Sequence, residues 1–392
     1  MIPASRRVAS IASPPIGRIA ALAAARERDG QRVIRLGQAV PWYGPPSWAL
    51  DAMASSLHDP VLHRYSVDPG LADVRKLVCA RWFSDRGFRI DHESQIHLTC
   101  GASQAFFSAL TVVADPSQRV VLTNPYYFDH LFAVQFLGLE PRLVAMREET
   151  EGFRLDVEAL IREIRAGCAA VVLVNPSNPT GSVASDDDLR RVAGECAASN
   201  TACIIDETYE KLTFDRRARW HPWHDPKTRA VTLVVGSFSK SLGMAGWRLG
   251  YLLGQELLMA EALKVHDSVA ICAPVIAQRL LGAILRGPYV EWTKDKLRDL
   301  EERRQIVRSA LQAAPFFHWR PTAGGIFSFL PYRGASTSVD VAAKVLGETG
   351  VSLVPGSAFG PAGEGHLRLS FGSSSREDLQ EALEVLTAYD PP

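Results

Sequence analysis

Short apolar runs alternate with stretches of helical periodicity from about residue 95 onward, and this alternation limits the folds that the chain can adopt. Runs that fit buried strands lie at 96–99, 120–123, 170–174, 202–205, 231–235 and 249–253. Helical patterns at 103–113, 128–136, 157–166 and 186–198 separate most of them. Strands joined through helices predict an α/β fold, with a mostly parallel sheet and helices on both faces. Because 249–253 follows 231–235 too closely for a helical crossover, we expect that strand to run antiparallel.

The length of 392 residues favours two domains. The pattern changes near residue 285, where a long charged helix at 289–313 leads to a helix at 339–348 and a strand at 366–370. We therefore expect a smaller α+β domain at 286–392, to which an N-terminal arm at 1–45 contributes. The large domain, with the parallel sheet and the main binding site, would span 46–285.

Charge and composition exclude several classes of protein. Lys plus Arg equals Asp plus Glu at 43 each, which argues against a nucleic-acid surface and against binding to acidic membranes. No apolar run approaches the length of a membrane span. The six cysteines are scattered without CxxC pairs, so we expect no metal site and a reducing, cytoplasmic compartment.

The turn after the run at 231–235 contains Ser237 and Lys240 among small residues. A lysine sheltered from water loses its proton more readily and can act as a Schiff-base nucleophile. Arg248, eight residues later, offers donors suited to a phosphate. An aldehyde and a phosphate are the two groups that pyridoxal phosphate (PLP) carries, so the segment suggests this cofactor. Taken alone, it also fits a surface lysine and arginine beside a glycine turn.

Ligands of open parallel α/β sheets bind beyond the carboxyl ends of the strands. Gly101, Ala102 and Ser103 follow the first strand, where backbone N–H groups at a helix start can hold an anion. The same residues also fit an ordinary helix cap. Tyr127 follows the second strand and fits either an aromatic cofactor or core packing.

Polar residues follow the next two strands. Asn178 lies within Asn-Pro-Ser-Asn-Pro-Thr-Gly at 175–181, a tight path that presents an amide side chain. Asp206 ends a buried strand, where a carboxylate is costly unless it meets a cation or a donor. A protonated pyridine nitrogen would be a suitable partner for this carboxylate. Tyr209, three residues later, can point to the same side and donate to a phenolic oxygen.

These motifs, in this order and with Arg-Leu-Ser-Phe at 368–371, resemble those of the class I and II aminotransferases, which are PLP enzymes of fold type I. The resemblance covers nearly the whole chain. Leu36-Gly37-Gln38, followed by an aromatic and proline-rich loop, is similar to the kynurenine and glutamine aminotransferase branch.

The resemblance implies transamination between an L-amino acid and a 2-oxo acid, through an internal aldimine on Lys240 and a pyridoxamine phosphate intermediate. Lys240, Asp206 and Tyr209 would be the catalytic residues. The residues implied to bind the cofactor are Gly101, Ala102, Ser103, Tyr127, Asn178, Asp206, Tyr209, Ser237, Lys240, Arg248 and Tyr65. The residues implied to bind the substrate are Arg368, which would hold the α-carboxylate as a bidentate pair, Asn178 and Ala39.

Tyr65 lies in a segment that resembles the family's Tyr-x-x-x-x-Gly-Leu, in which the tyrosine reaches the cofactor phosphate of the neighbouring subunit. The resemblance therefore implies a homodimer. Ala39 departs from the family, which commonly has glycine there, and its methyl group could narrow the substrate pocket. Trp42, Tyr43 and His266 would suit an aromatic or other neutral substrate side chain.

Two other functions are compatible with the same motifs. A PLP-dependent lyase that eliminates a β-substituent, or a cyclising enzyme, would use the same lysine on the same scaffold. A regulatory protein that keeps PLP only as a ligand is disfavoured, because the chain has no extra N-terminal module and no basic excess.

Overall fold

The structure, a computed structural model, describes residues 2–215 and 217–391. Its strands are β1 (Ile34–Arg35), β2 (Ile96–Thr99), β3 (Arg119–Asn124), β4 (Glu140–Ala145), β5 (Arg147–Glu149), β6 (Gly152–Arg154), β7 (Ala170–Val174), β8 (Ala202–Asp206), β9 (Thr232–Ser237), β10 (Gly250–Leu253), β11 (Phe327–Pro331), β12 (Val351–Ser352), β13 (Val354–Pro355) and β14 (His366–Ser370).

The helices are α1 (Arg6–Ala9), α2 (Ile16–Arg28), α3 (Ser47–Ser56), α4 (Ala72–Leu77), α5 (Gly101–Val113), α6 (Phe128–Phe136), α7 (Val157–Arg165), α8 (Asp186–Ala198), α9 (Pro226–Val231), α10 (Glu256–Ala270), α11 (Val275–Arg286), α12 (Tyr289–Leu311), α13 (Ser338–Thr349) and α14 (Arg376–Thr387). Within the described ranges, none of these helices combines the length and the apolar composition that a membrane crossing requires.

A seven-stranded sheet forms the centre of the fold, with the order β2-β10-β9-β8-β7-β3-β4. Only β10 runs against its neighbours in this sheet, as its short connection to β9 predicts. Successive residues of β7 face opposite sides of the sheet: Val171 and Leu173 pack with α7 and α8, whereas Ala170 and Val172 pack with α5 and α6. Both faces of the sheet are therefore apolar and covered by helices, and the predicted fold class is confirmed.

The sequence analysis did not predict β4, which lies at the edge of this sheet. Five of its six residues are not fully buried, and only the last three residues of its sequence Glu-Pro-Arg-Leu-Val-Ala are apolar. Edge strands commonly carry charged residues and proline, which blunt unwanted pairing and remove the hydrophobic signal.

A second sheet, β11-β14-β13, is antiparallel and packs with α12, α13 and α14. The N-terminal residues join this part of the molecule, because β1 pairs in parallel with β12 and places Ile34 opposite Val351. Ile19 of α2 belongs to the same hydrophobic cluster. These contacts agree with an N-terminal arm that contributes to a smaller domain, while the boundaries at residues 45 and 285 stay predictions.

Candidate active site

The carboxyl ends of five parallel strands meet at a cavity of about 840 Å³. The cavity is within the size range of small-molecule sites, which is about 300–1,000 Å³. Its lining includes nearly every residue that the sequence analysis assigned to the site: Ala39, Ala102, Ser103, Tyr127, Asn178, Asp206, Tyr209, Ser237, Lys240, Arg248 and Arg368. Gly101 lies directly beside it, in contact with Arg248.

Lys240 lies in the turn after β9, with its amine inside the cavity. Its Nζ donates a hydrogen bond to the carbonyl oxygen of Ala39 at 2.6 Å. Burial, together with the charges of Arg368 and Arg248, lowers the pKa of Lys240 to about 8, although the carboxylate of Asp206 opposes this shift. A substantial share of this amine is therefore neutral near physiological pH, as a nucleophilic lysine requires.

Asp206 is the last residue of β8 and is buried. One carboxylate oxygen lies 3.0 Å from Nε2 of His130, and the other accepts a hydrogen bond from the backbone N–H of Thr208 at 2.8 Å. The sequence analysis did not identify His130. His130 lies in the first turn of α6, three residues after Tyr127, and this position at a strand-to-helix connection is the signal that could have found it. The ring of Phe106 stacks on His130 with 3.9 Å between ring centroids, which holds it against Asp206.

Arg368 lies on β14 with its side chain almost completely buried. Its Nη1 donates to Oδ1 of Asn178 at 2.8 Å, and its Nη2 donates to the carbonyl oxygen of Gly37 at 2.7 Å. Its Nε has no hydrogen-bond partner among residues 2–215 and 217–391. Burial lowers the pKa of Arg368, which nevertheless remains a cation. A buried guanidinium with an unused donor and no carboxylate among its hydrogen-bond partners fits a substrate carboxylate.

The start of α5 and Arg248 form a cradle for an anion. Gly101 has a φ of +80°, and a Cβ there would lie 2.6 Å from Nη2 of Arg248. A side chain at position 101 would thus displace the arginine. Gly250 on β10 also packs tightly against the start of α5, since a Cβ at position 250 would be 2.8 Å from the backbone nitrogen of Ala102. Arg248 itself has a left-handed backbone with φ 51°, a conformation that residues other than glycine mostly adopt where the surroundings impose it.

Two tyrosines complete the wall of the cavity. The hydroxyl of Tyr127 donates to Oδ2 of Asp129 at 2.6 Å, and burial together with that carboxylate raises the pKa of Tyr127. Tyr209 is buried, and its ring meets Phe327 edge-on with 5.2 Å between centroids. Burial raises the pKa of Tyr209, so its hydroxyl stays protonated and can donate a hydrogen bond.

Tyr65 lies outside this cavity and is 76% exposed. It lines a second, smaller cavity with Leu62 and Cys272. In a single chain it therefore makes no contribution to the site.

Trp42, Tyr43 and His266 do not line the main cavity, so the expectation that they contact the substrate side chain is wrong for the single chain. Trp42 packs against Arg303, and the Tyr43 hydroxyl donates to the carbonyl oxygen of Lys240. His266 is buried, with burial lowering its pKa. All three were proposed from residue type alone, which does not give the direction of a side chain.

The chain matches the family model of class I and II aminotransferases over residues 31–386. It belongs to that family. It is 29% identical to an aspartate aminotransferase of Rhizobium meliloti, over 98% of this chain and 95% of the relative. It is 30% identical to an aromatic aminotransferase of Arabidopsis thaliana, over 96% of this chain and 94% of the relative. The crystal structure of the Rhizobium meliloti aspartate aminotransferase superposes with a TM-score of 0.91 at 28% identity, covering 99% and 98% of the two chains.

Members of this family depend on PLP, and the predictions of the cofactor and of an aminotransferase are confirmed. The relatives support transamination and not the lyase alternative. The residues present fit the cofactor: the helix start and Arg248 offer donors for its phosphate, and Lys240 offers a partly neutral amine for its aldehyde.

Proposed function

We propose that this cavity transfers the amino group of an L-amino acid to a 2-oxo acid, with Lys240 as the central residue. The observation that carries the proposal is the meeting of three groups in one cavity: the amine of Lys240, the carboxylate of Asp206 and the guanidinium of Arg368. These groups come from three distant parts of the sequence, and only the fold unites them.

The cofactor would be held at both of its ends. Asp206, backed by His130, would pair with the ring nitrogen, and Asn178 and Tyr209 would donate to the ring oxygen. Tyr127 would stack on the ring. The residues that would hold the phosphate are Gly101, Ala102, Ser103, Ser237 and Arg248. When bound, PLP supplies an aldehyde that accepts an amino group and a ring that withdraws electrons from the substrate.

The substrate would be oriented by Arg368. A carboxylate can accept two parallel hydrogen bonds from this guanidinium if it displaces Asn178 or Gly37 from one donor or uses the free Nε. As a neutral amine, Lys240 would take the proton from the substrate Cα and would deliver it to the cofactor carbon that bears the amino group. Ala39, whose carbonyl accepts from Lys240 at 2.6 Å, keeps the amine at the cavity wall. Its methyl group would narrow the substrate pocket.

Spectroscopy of the holoenzyme tests this function. An amino acid added without an acceptor should convert the visible absorbance of the lysine-bound cofactor to that of the aminated form. A 2-oxo acid should then restore the original absorbance, and no ammonia should appear. Ammonia and pyruvate released without an acceptor would instead identify an elimination reaction.

A second copy of the chain would complete the site through Tyr65. Exposed apolar side chains support an interface at this surface, namely Leu57, Val61, Tyr65, Val67, Val269 and Ile271. The loss of apolar exposure on pairing would favour the dimer. Sedimentation of the holoenzyme should give twice the chain mass, and Tyr65→Phe should weaken PLP retention without changing that mass. A monomer with full activity would refute this part of the proposal.

A cytoplasmic location is consistent with the cysteines, which are all unpaired. Fractionation of cells that produce the natural protein would test it, with activity expected in the cytosolic fraction.

A further inference from the structure

The cavity has a second end, formed by elements that the sequence analysis did not connect with the site. We call it the outer wall: Ile16, Ile19, Ala20, Arg35, Phe128 and Val354, which all line the cavity. Ile16 and Ile19 lie on α2, and Arg35 lies on β1. Ile16, Phe128 and Val354 belong to one hydrophobic cluster, so they form a continuous apolar surface.

The outer wall lies beside Arg368. Val354 is directly opposite Arg368 in the antiparallel pairing of β13 and β14. Side chains of directly opposed residues lie on the same face of a sheet, so Val354 and Arg368 are neighbours in the cavity. Gly37, which accepts a hydrogen bond from Arg368, is two residues from Arg35 on the same extended segment. A substrate whose α-carboxylate binds Arg368 would therefore have the outer wall beside it.

Among the described residues of the outer wall, Arg35 is the one arginine or lysine. Its guanidinium already pairs with a carboxylate. Its Nε donates to Oε1 of Glu27 at 2.9 Å, and its Nη2 donates to Oε2 at 2.7 Å. Glu27 lies on α2, so this bidentate pair joins α2 to β1. The pair is partly exposed, with 47% and 42% of the two side chains accessible.

Asp129 adds a negative charge to the same region. It lines the cavity next to Phe128, and its hydrogen-bond partner in the cavity is the uncharged hydroxyl of Tyr127. A substrate carboxylate at the outer wall would meet an arginine already paired with Glu27 and an aspartate that forms no ion pair with the described residues. An apolar side chain would instead be buried against Ile16, Phe128 and Val354.

We propose that the Glu27–Arg35 pair makes this cavity select amino acids with neutral, apolar side chains over dicarboxylic amino acids. This inference rests on the proposed transamination. Glu27 acts here as a specificity-determining residue that touches neither the cofactor nor the reacting atoms, because it occupies the only outer-wall arginine within the described residues.

The test is the variant Glu27→Gln, measured as the amino-acid half-reaction of the holoenzyme with phenylalanine, methionine, aspartate or glutamate. The wild-type protein should react faster with phenylalanine and methionine. Removing the carboxylate frees Arg35, so kcat/KM for aspartate and glutamate should rise about three- to fivefold, the range of a half-exposed ion pair. The values for phenylalanine and methionine should stay within about twofold.

Two controls separate charge from structure. The double variant Glu27→Gln/Arg35→Gln should lose the gain, because the freed cation is gone. Glu381→Gln breaks an ion pair of similar length, 2.7 Å to Arg32, which lies outside the cavity, and should change no ratio. Equal thermal midpoints of the variants would show that folding is intact.

A wild-type preference for aspartate or glutamate would overturn the inference, as would a Glu27→Gln variant with unchanged ratios. Failure of the proposed function would look different, because no donor in the panel would then change the cofactor absorbance.

Discussion

Two clusters of charged residues lie on opposite sides of the turn at 206–210, and they differ in how well their charges are matched. In the cavity, the cations Lys240, Arg248 and Arg368 outnumber the carboxylates of Asp206 and Asp129. Behind the turn, the guanidinium of Arg86 contacts the carboxylates of both Glu207 and Glu210. Within this turn, Asp206 and Tyr209 face the cavity, whereas Glu207 and Glu210 face Arg86.

In the cluster behind the turn, both carboxylates have cationic partners within the protein. His221 lies 3.1 Å from Glu207, and Lys211 lies 3.9 Å from Glu210. Burial raises the pKa of Glu207, but Arg86 and His221 outweigh it and lower that pKa to about 2. For Glu210, burial prevails over Arg86 and its pKa is raised. This cluster has its counter-charges within the protein, whereas the cavity needs anions from outside. The difference supports the proposal that one cluster fixes the turn, whereas the other would bind a phosphate and a carboxylate.

Lys240→Ala should have the largest effect, and this effect should be on the activity of the cavity. We expect turnover to fall by roughly 10³-fold or more, because both the nucleophile and the proton carrier are lost. The absorbance of the lysine-bound cofactor should disappear as well. Lys264→Ala removes a lysine whose ion pair with Glu261 is fully on the surface and should leave both readings unchanged. Full activity in Lys240→Ala would exclude this lysine from the chemistry.

Arg86→Met should show that the other cluster acts in stability. Removing the shared cation leaves two buried carboxylates without their main partner, at a cost of about 3–5 kcal/mol in the free energy of unfolding. Arg165→Met breaks an ion pair with Glu195 on the surface and should destabilise the protein far less, because solvent screens exposed ion pairs. Chemical denaturation of the three proteins measures both values. Equal losses in the two variants would contradict the distinction between the clusters.

Arg368→Lys keeps the charge of the cavity but not the fork of donors. We expect kcat/KM to fall about 10- to 100-fold for every amino acid, because one charge-assisted hydrogen bond to the α-carboxylate is lost. The cofactor absorbance should persist, since Lys240 is intact. Arg304, whose Nη1 donates to the carbonyl oxygen of Thr322, lies outside the cavity lining and provides the control Arg304→Lys. A loss confined to one class of donor would show that Arg368 binds a side chain instead.

The pH dependence of PLP uptake by the apoprotein should report the pKa of Lys240, which the neighbouring cations of the cavity help to lower. The neutral amine of Lys240 is the reactive form, so the rate should rise about tenfold per pH unit below the pKa and level off above it. With a pKa of about 8 the plateau begins there, whereas an ordinary lysine at 10.5 would still show a rising rate at pH 10. Stopped-flow absorbance measures this rate. A profile that keeps rising would mean that Lys240 is not perturbed.

Much of the fold and of the cavity could be predicted because the sheet is parallel. Asp206 and Asn178 follow buried strands, and the carboxyl ends of those strands meet at one edge, so sequence position alone placed them together. Gly101 was recognisable as a residue at a strand-to-helix turn. The motif with Arg368 came from resemblance to the family.

The residues that were not predicted reach the site through tertiary packing. His130 looks like an ordinary helical residue until the sheet brings Asp206 to within 3.0 Å of it. Ile16 and Arg35 line the cavity only because β1 pairs with β12, more than 300 residues later in the chain. The roles of the site residues and the resemblance to the kynurenine and glutamine branch stay predictions.

The hydrogen bonds of Arg368 have a consequence for how the protein is made. Its partners Asn178 and Gly37 are 190 and 331 residues away in the sequence. During synthesis the earlier parts of the chain emerge first, so the central sheet and the lysine turn can form while the ribosome is still translating the last helices. The carboxylate receptor is absent until residue 368 has left the exit tunnel. A nascent chain therefore contains the residues proposed to hold PLP before it contains the arginine proposed to bind the amino acid.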